Sequence, residues 1–270
     1  MTRFSLATVL LATVAAIPSA ATAEMIDCVI EPKSMIDLGS SDEGLITEIL
    51  VTRGDRVERG QLLVQLDNEI QRLQVERMEM RANSDVEKRA QETRRELRQL
   101  DVDRAQELLK KRVGTVKSFD DARIELALTQ LAIEDAVMSK DIAQIEYRQA
   151  QAQLDRRKLS SPVAGIVTSV EAAPGEYAHE QLTIMQIAEV DPLHVEVFVP
   201  ARMWGKVQIG QSYRVLPMAP LEGDWQATVS AVDTVFDAAS GTFGVRLVLP
   251  NPDGKIPAGI LCEVDMQADS

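Results

Sequence analysis

The residues capable of covalent or metal chemistry are few, and their spacing suits none of the common reactions. His179 and His194 are the only histidines, and no cysteine or carboxylate accompanies them in the pattern of a hydrolase triad. Asp191 lies near His194, where it reads as a turn residue. Ser160-Ser161 before Pro162 reads as a strand entry, since the G-x-S-x-G nucleophile elbow is absent. Ten methionines would suit a soft metal ion, yet they are scattered, and Met78 and Met80 sit two apart and do not share a helix face. Two cysteines and two histidines leave little material for a zinc site. No catalytic residue, cofactor site or metal ligand is assigned, and the chain is not read as an enzyme.

The elements around these residues carry more information. Arg3 supplies a short positive region, Leu6 to Ile17 form an apolar stretch, and Ala21-Thr22-Ala23 fits a signal-peptidase site. The apolar run is well short of the ~20 residues that a spanning helix needs. Residues 1–23 are therefore predicted to be a cleaved signal peptide, and the mature protein to be exported and soluble. Ile26-Asp27 lack the small residue a lipoprotein signal places before its cysteine, which argues against lipid attachment at Cys28. In an oxidising compartment Cys28 and Cys262 are the only thiols. Either they pair and tie the first strand to the last, which for so long a loop contributes up to ~4–5 kcal/mol, or they remain two distant free thiols. A formal charge of −13 without a long basic run excludes nucleic acid as a partner.

Glycine and proline divide the rest. Between Pro32 and Pro162 there is no proline, and between Gly60 and Gly165 the only glycine is Gly114. Such a run, rich in Glu, Arg, Gln, Leu and Ala, predicts long helix. Ile124, Leu128, Leu131, Met138, Ile142 and Ile145 follow 3-4 spacing, with Asp135 as the polar exception, and Val86, Ala90, Thr93, Leu97 and Leu100 do the same earlier. These rows are read as the seam of a coiled coil. Gly114 breaks the run, and Ser118 with Asp120 and Asp121 suits a new helix start. The prediction is two antiparallel helices of about 40–45 residues reaching ~60 Å. Only Phe119 and Tyr147 are aromatic within it, which accounts for the low aromatic share of 4%.

The flanks of the rod resemble each other. Gly44-Leu45-Ile46-Thr47 aligns with Gly165-Ile166-Val167-Thr168, Gly54-Asp55 with Gly175-Glu176, Leu63 with Ile184 and Leu66 with Ile187, all at an offset of 121 residues. Two half-domains with pseudo-twofold symmetry, split by the rod, are predicted to form one β-sandwich. From Leu193 onward, Val195–Val199, Tyr213–Leu216, Trp225–Val232, Phe243–Leu249 and Ile260–Met266 are short β-rich runs between glycines and prolines. They predict a small β-barrel. Seven of the ten aromatic residues lie at or beyond Tyr177, so a compact core belongs there.

Taken together these segments resemble the periplasmic adaptor, or membrane fusion protein, family of haemolysin-D-type secretion and RND-type efflux. The resemblance rests on Gly54-Asp55-Arg56-Val57-Glu58-Arg59-Gly60-Gln61-Leu62-Leu63 with Leu66-Asp67, on Ser161-Pro162-Val163-Ala164-Gly165-Ile166-Val167, and on Asn251-Pro252-Asp253-Gly254 followed by Pro257-Ala258-Gly259. It implies an elongated, modular α+β chain, a lipoyl-like β-sandwich split by a long antiparallel coiled-coil hairpin and followed by a small β-barrel. The divisions are 24–67 for the N-terminal strand and first half-sandwich, 68–158 for the hairpin with its tip near 109–118, 159–190 for the second half, and 191–270 for the barrel. In the family the hairpin tip meets an outer-membrane channel through an Arg, a Leu four residues on and a Ser seven beyond. Arg104 and Leu108 fit that pattern, and Thr115 replaces the serine while keeping its hydroxyl.

The resemblance further implies a periplasmic location peripheral to the inner membrane, an inner-membrane transporter as partner, RND type first and ABC type second, and self-association into a hexameric ring. Many members continue into a membrane-proximal domain, of which Glu24–Ile30 is read as one strand. Carrier sandwiches of the lipoyl or biotinyl type bear a modified lysine where the resemblance puts the rod. Lys158, among Arg156, Arg157 and Leu159, reads instead as a charged surface residue. A non-transport envelope scaffold and a carrier component are the alternatives.

Overall fold

The computed structural model describes residues 25–221 and 223–266, so the segment read as a signal peptide lies outside the described residues. In chain order the elements are β1 (Met25–Gly39), β2 (Gly44–Ile49), β3 (Arg56–Val57), β4 (Leu62–Leu66), α1 (Glu69–Ala82), α2 (Val86–Lys110), α3 (Val116–Asp155), β5 (Lys158–Ser160), β6 (Gly165–Val170), β7 (Tyr177–Ala178), β8 (Thr183–Pro200), β9 (Ser212–Pro217), β10 (Trp225–Asp237), β11 (Thr242–Leu249) and β12 (Ile260–Asp265). The fold is α+β. Described residues up to Lys33 group with those from Val190 onward, and Ser34–Glu189 make a second unit.

The second unit holds the internal repeat. Strands Gly44–Ile49, Arg56–Val57 and the start of Leu62–Leu66 recur 121 residues later as Gly165–Val170, Tyr177–Ala178 and the start of Thr183–Pro200. The pairings recur too: Arg56 stands opposite Ile166, and Tyr177 opposite Leu45. Each half contributes one sharp turn whose glycine has a positive φ, +96° at Gly54 and +94° at Gly175. The Gly54 N–H donates to the Val167 carbonyl at 2.8 Å, and the Gly175 N–H donates to the Ile46 carbonyl at 2.8 Å. Ile46, Leu63 and Leu66 from one half pack in the same core as Val167, Ile184 and Ile187 from the other.

The helices leave this sandwich from the adjacent strands β4 and β5. Gln65 stands opposite Lys158, and the Leu66 N–H donates to the Arg157 carbonyl at 2.8 Å. The Arg157 guanidinium donates in turn to the Glu43 carbonyl at 2.6 Å. The insertion therefore closes on itself at its base, which is why a half-domain tolerates ninety residues in one loop.

Two expectations for the hairpin are corrected. The first arm is not one helix: Asn83, Ser84 and Asp85 interrupt it, whereas α3 runs unbroken for 40 residues, ~60 Å at 1.5 Å per residue. The break contains neither glycine nor proline; its Asn, Ser and Asp instead favour helix caps and turns. The second correction concerns the seam. Leu126, Thr129, Ile133, Ala136, Ala143 and Ala150 of α3 face α1 and α2 at 3-4 spacing, opposite Arg98, Val102, Ala105 and Leu109 of α2. The larger apolar rows read as the seam, Ile124 to Ile145 and Val86 to Leu100, are exposed. Alanine and the aliphatic stems of long polar residues suffice where two helices approach closely. The bulky side chains therefore lie on the opposite side of each helix.

In the first unit the ladder runs β1, β12, β9, β10, β11, β8, each pair antiparallel. Met25–Ile30 pairs along β12, with Cys28 opposite Cys262, and so supplies a strand of this sheet and not of a separate domain. Ile30, Val197, Val215, Phe243 and Leu247 lie in its core. Trp204 stands edge-on to Phe243 at 5.2 Å between ring centres.

Candidate functional site

The turn joining α2 to α3 is built by backbone hydrogen bonds that converge on Leu108 and Leu109. Val113 N–H donates to the Leu108 carbonyl at 3.0 Å and Arg112 N–H to the Leu109 carbonyl at 3.0 Å, the two bonds of a Schellman helix stop. The residue in the left-handed conformation is Arg112, with φ +59°, where glycine is usual. Gly114 N–H also donates to the Leu108 carbonyl, at 3.1 Å. A Cβ on Gly114 would lie 3.2 Å from backbone atoms of Leu108 and Leu109, so only glycine lets the turn close this tightly.

Thr115 then caps α3. Its hydroxyl accepts from the Ser118 N–H at 3.1 Å, and the Ser118 hydroxyl donates to the Thr115 carbonyl at 2.9 Å. The helix start expected at Ser118 thus falls three residues earlier, because Thr115 adopts the extended backbone that a cap requires. Leu108 and Thr115 are brought together at the turn. Arg104 stands one helical turn below, exposed, with its guanidinium 3.3 Å from Asp101.

Sequence reasoning missed two features of this tip. Val113 and Val116 flank the turn 72% and 63% exposed, with no packing role in their own chain. Residues 104–117 also carry Arg104, Lys110, Lys111, Arg112 and Lys117 against Glu107 alone, a local charge of +4 in a chain of −13. Counting charge by segment would have found this second feature.

Away from the tip, Cys28 and Cys262 face each other across the β1–β12 ladder with Cα atoms 4.8 Å apart, and the structure joins them as a disulfide. Both are buried. Among the described residues no group of three or more histidine, cysteine or acidic side chains is arranged to hold a metal ion. No helix of the described residues is long and apolar enough to cross a membrane.

Comparison with known proteins adds to this geometry. Residues 34–187 match the RND MFP barrel-sandwich hybrid domain, and residues 192–270 match the CusB-like beta-barrel domain. The macrolide export protein MacA of Escherichia coli O157:H7 is 25% identical over 246 residues, covering 86% of this chain and 64% of its own. The pyoverdine export membrane fusion protein PvdR of Pseudomonas aeruginosa is 28% identical over 230 residues, covering 83% of this chain and 54% of its own. The chain thus spans less than two thirds of the length of these relatives. Among solved structures, MacA from Actinobacillus actinomycetemcomitans superposes with a TM-score of 0.74 at 20% identity, covering 89% of this chain and 76% of that one.

Proposed function

This chain belongs to the RND-type membrane fusion protein family, and from that premise we propose that it is a non-enzymatic periplasmic adaptor of a tripartite efflux or secretion system. It bridges an inner-membrane transporter, RND type first and ABC type second, to an outer-membrane channel. One observation carries the reading: each arm of the hairpin turns a row of large apolar side chains away from its own partner helix. Neither arm is finished by the fold of one copy.

Heptad geometry supports a ring. At ~3.5 residues per turn the outer rows are centred about 154° around each helix from the seam, and both tilt toward the same face of the hairpin. A helix in a closed ring of twelve meets its neighbours at about 150°, so six hairpins side by side satisfy both contacts. The hairpins then form a coiled-coil tube that seals the path for the exported molecule. The basic, apolar-tipped turn at Leu108, Val113 and Thr115 docks on an acidic rim of the channel, and Arg104 is the remaining candidate for that contact. Cys28 and Cys262 hold the N-terminal strand in its sheet.

A photo-crosslinking residue at Leu108, in cells, tests this reading. Capture of an outer-membrane channel there, and not from Arg94 in mid-arm, is the expected result. Capture of only further copies of the chain, or of nothing, overturns channel docking in favour of an envelope scaffold.

A further inference from the structure

The two outer rows continue beyond their apolar stretch, and the first residue reached in each is charged, with opposite sign, before Glu107 and Lys117 follow. On α2 the row Ala90, Thr93, Leu97, Leu100 next reaches Arg104; on α3 the row Leu131, Leu128, Ile124 next reaches Asp121. Arg81 pairs with Glu146 across the hairpin and the turn centres on Val113, which fixes the height of each arm's residues against the other. By that count Arg104 stands level with Arg123, between Asp121 and Ile124 in the outer row of α3. Yet Arg104 and Asp121 lie on opposite flanks of one hairpin, and Asp121 makes no ion pair among the described residues.

We infer that Arg104 of one copy pairs with Asp121 of the next, and that this pair sets the register of the hairpin-to-hairpin contact. The proposal rests on the self-association reading given above and goes beyond it by naming the residue pair that fixes the register between one copy of this chain and the next. It also moves Arg104 from channel docking to the contact between copies.

Three features fit one occupant. With two hairpins side by side and pointing the same way, α2 of one copy lies antiparallel to α3 of the next. Leu97 and Leu100 then fall level with Leu128 and its neighbours in the row, so apolar meets apolar. Asp135, the other acid of the α3 row, falls level with Ala90 and Thr93, where the α2 row has no bulky side chain. The polar gap in one row thus meets the small-residue gap in the other. Sliding one hairpin by a single helical turn would set Arg104 against Ile124 or Leu128 and Asp135 against Leu97. Such a contact is heterologous, with different patches on each copy, and it closes into a ring instead of stopping at a dimer.

The test uses the full mature chain carrying a cysteine pair at Leu97→Cys and Leu128→Cys, oxidised and resolved without reductant. A ladder of cross-linked species is expected from the double variant and not from either cysteine alone. In that background Arg104→Asp or Asp121→Arg slows cross-linking at least about fivefold at low salt by opposing like charges. Combining the two restores the rate, and added salt shrinks the difference. If the ladder forms but the charge swap restores nothing, the Arg104–Asp121 pairing is wrong while self-association stands. No ladder removes the self-association reading and the pairing together. Loss of channel capture at Leu108 in Arg104→Asp, with an unchanged ladder, overturns the pairing and returns Arg104 to docking.

Discussion

The sheet-rich first unit and the helical hairpin treat their large apolar residues in opposite ways. In the former, Phe243, Leu193, Leu247 and Leu249 are buried, and alternation along Thr242–Leu249 turns Thr242 and Arg246 outward, while Phe198 and Leu261 are among the large apolar residues left exposed. In the hairpin the buried positions are mostly alanine, while Leu97, Leu128 and Met138 are more than half exposed. One region buries most of its large apolar residues within the chain. The other leaves its large apolar rows exposed in a single copy, the surface that the proposed self-association would cover.

The disulfide sharpens the contrast most. Replacing Cys28 and Cys262 with serine is expected to lower the free energy of unfolding by up to ~4–5 kcal/mol. Non-reduced, denatured protein should take up no alkylating label by intact mass, whereas a gain of two labels would show free thiols. Next in size is the sandwich core. Leu63→Ala, at a fully buried position, should cost about 3 kcal/mol in urea unfolding. Leu128→Ala, measured at low protein concentration, should shift stability by less than ~0.5 kcal/mol. Equal costs for the two would break the comparison.

The tip gives smaller effects. Thr115→Ala removes the cap of α3 and should cost about 1 kcal/mol, with Thr115→Ser restoring it. A loss of channel capture in the alanine variant, recovered by serine, would tie the hydroxyl to the turn's shape. A slightly smaller effect than that of the cap runs the other way: Arg112→Gly relieves a left-handed residue and should stabilise the hairpin by about 0.5–1 kcal/mol. Thermal unfolding of the two variants side by side orders them.

Much of the fold was legible because its signals are local. Gly54 and Gly175 mark equivalent turns through a backbone shape that other residues resist, so the repeat could be read before any strand was seen. The hairpin was legible in the long stretch free of proline. Its seam was not, since hydrophobicity alone does not tell which face of a helix meets its partner, and Leu97 and Leu128 are exposed while smaller residues form the contact within the chain. The break at Asn83–Asp85 escapes a reading by glycine and proline alone, although Asn, Ser and Asp favour caps and turns over helix interiors. The candidate tip residues were located by pattern. The roles of Thr115 as a cap and of Arg112 as a helix stop depend on φ and on hydrogen bonds, which residue identity alone does not specify.

The adjacent exit of the two arms from β4 and β5 makes the hairpin a gauge of distance. Because Gln65 and Lys158 close the base as neighbouring strand residues, seven residues added to each arm would lengthen the rod by about 10 Å while keeping every helix face in phase. Seven removed would shorten it equally, and neither change would disturb the sandwich. On the adaptor reading proposed above, an envelope whose two membranes stand closer or farther apart would thus be matched by whole heptads, with the turn at Val113 carried outward or inward unchanged.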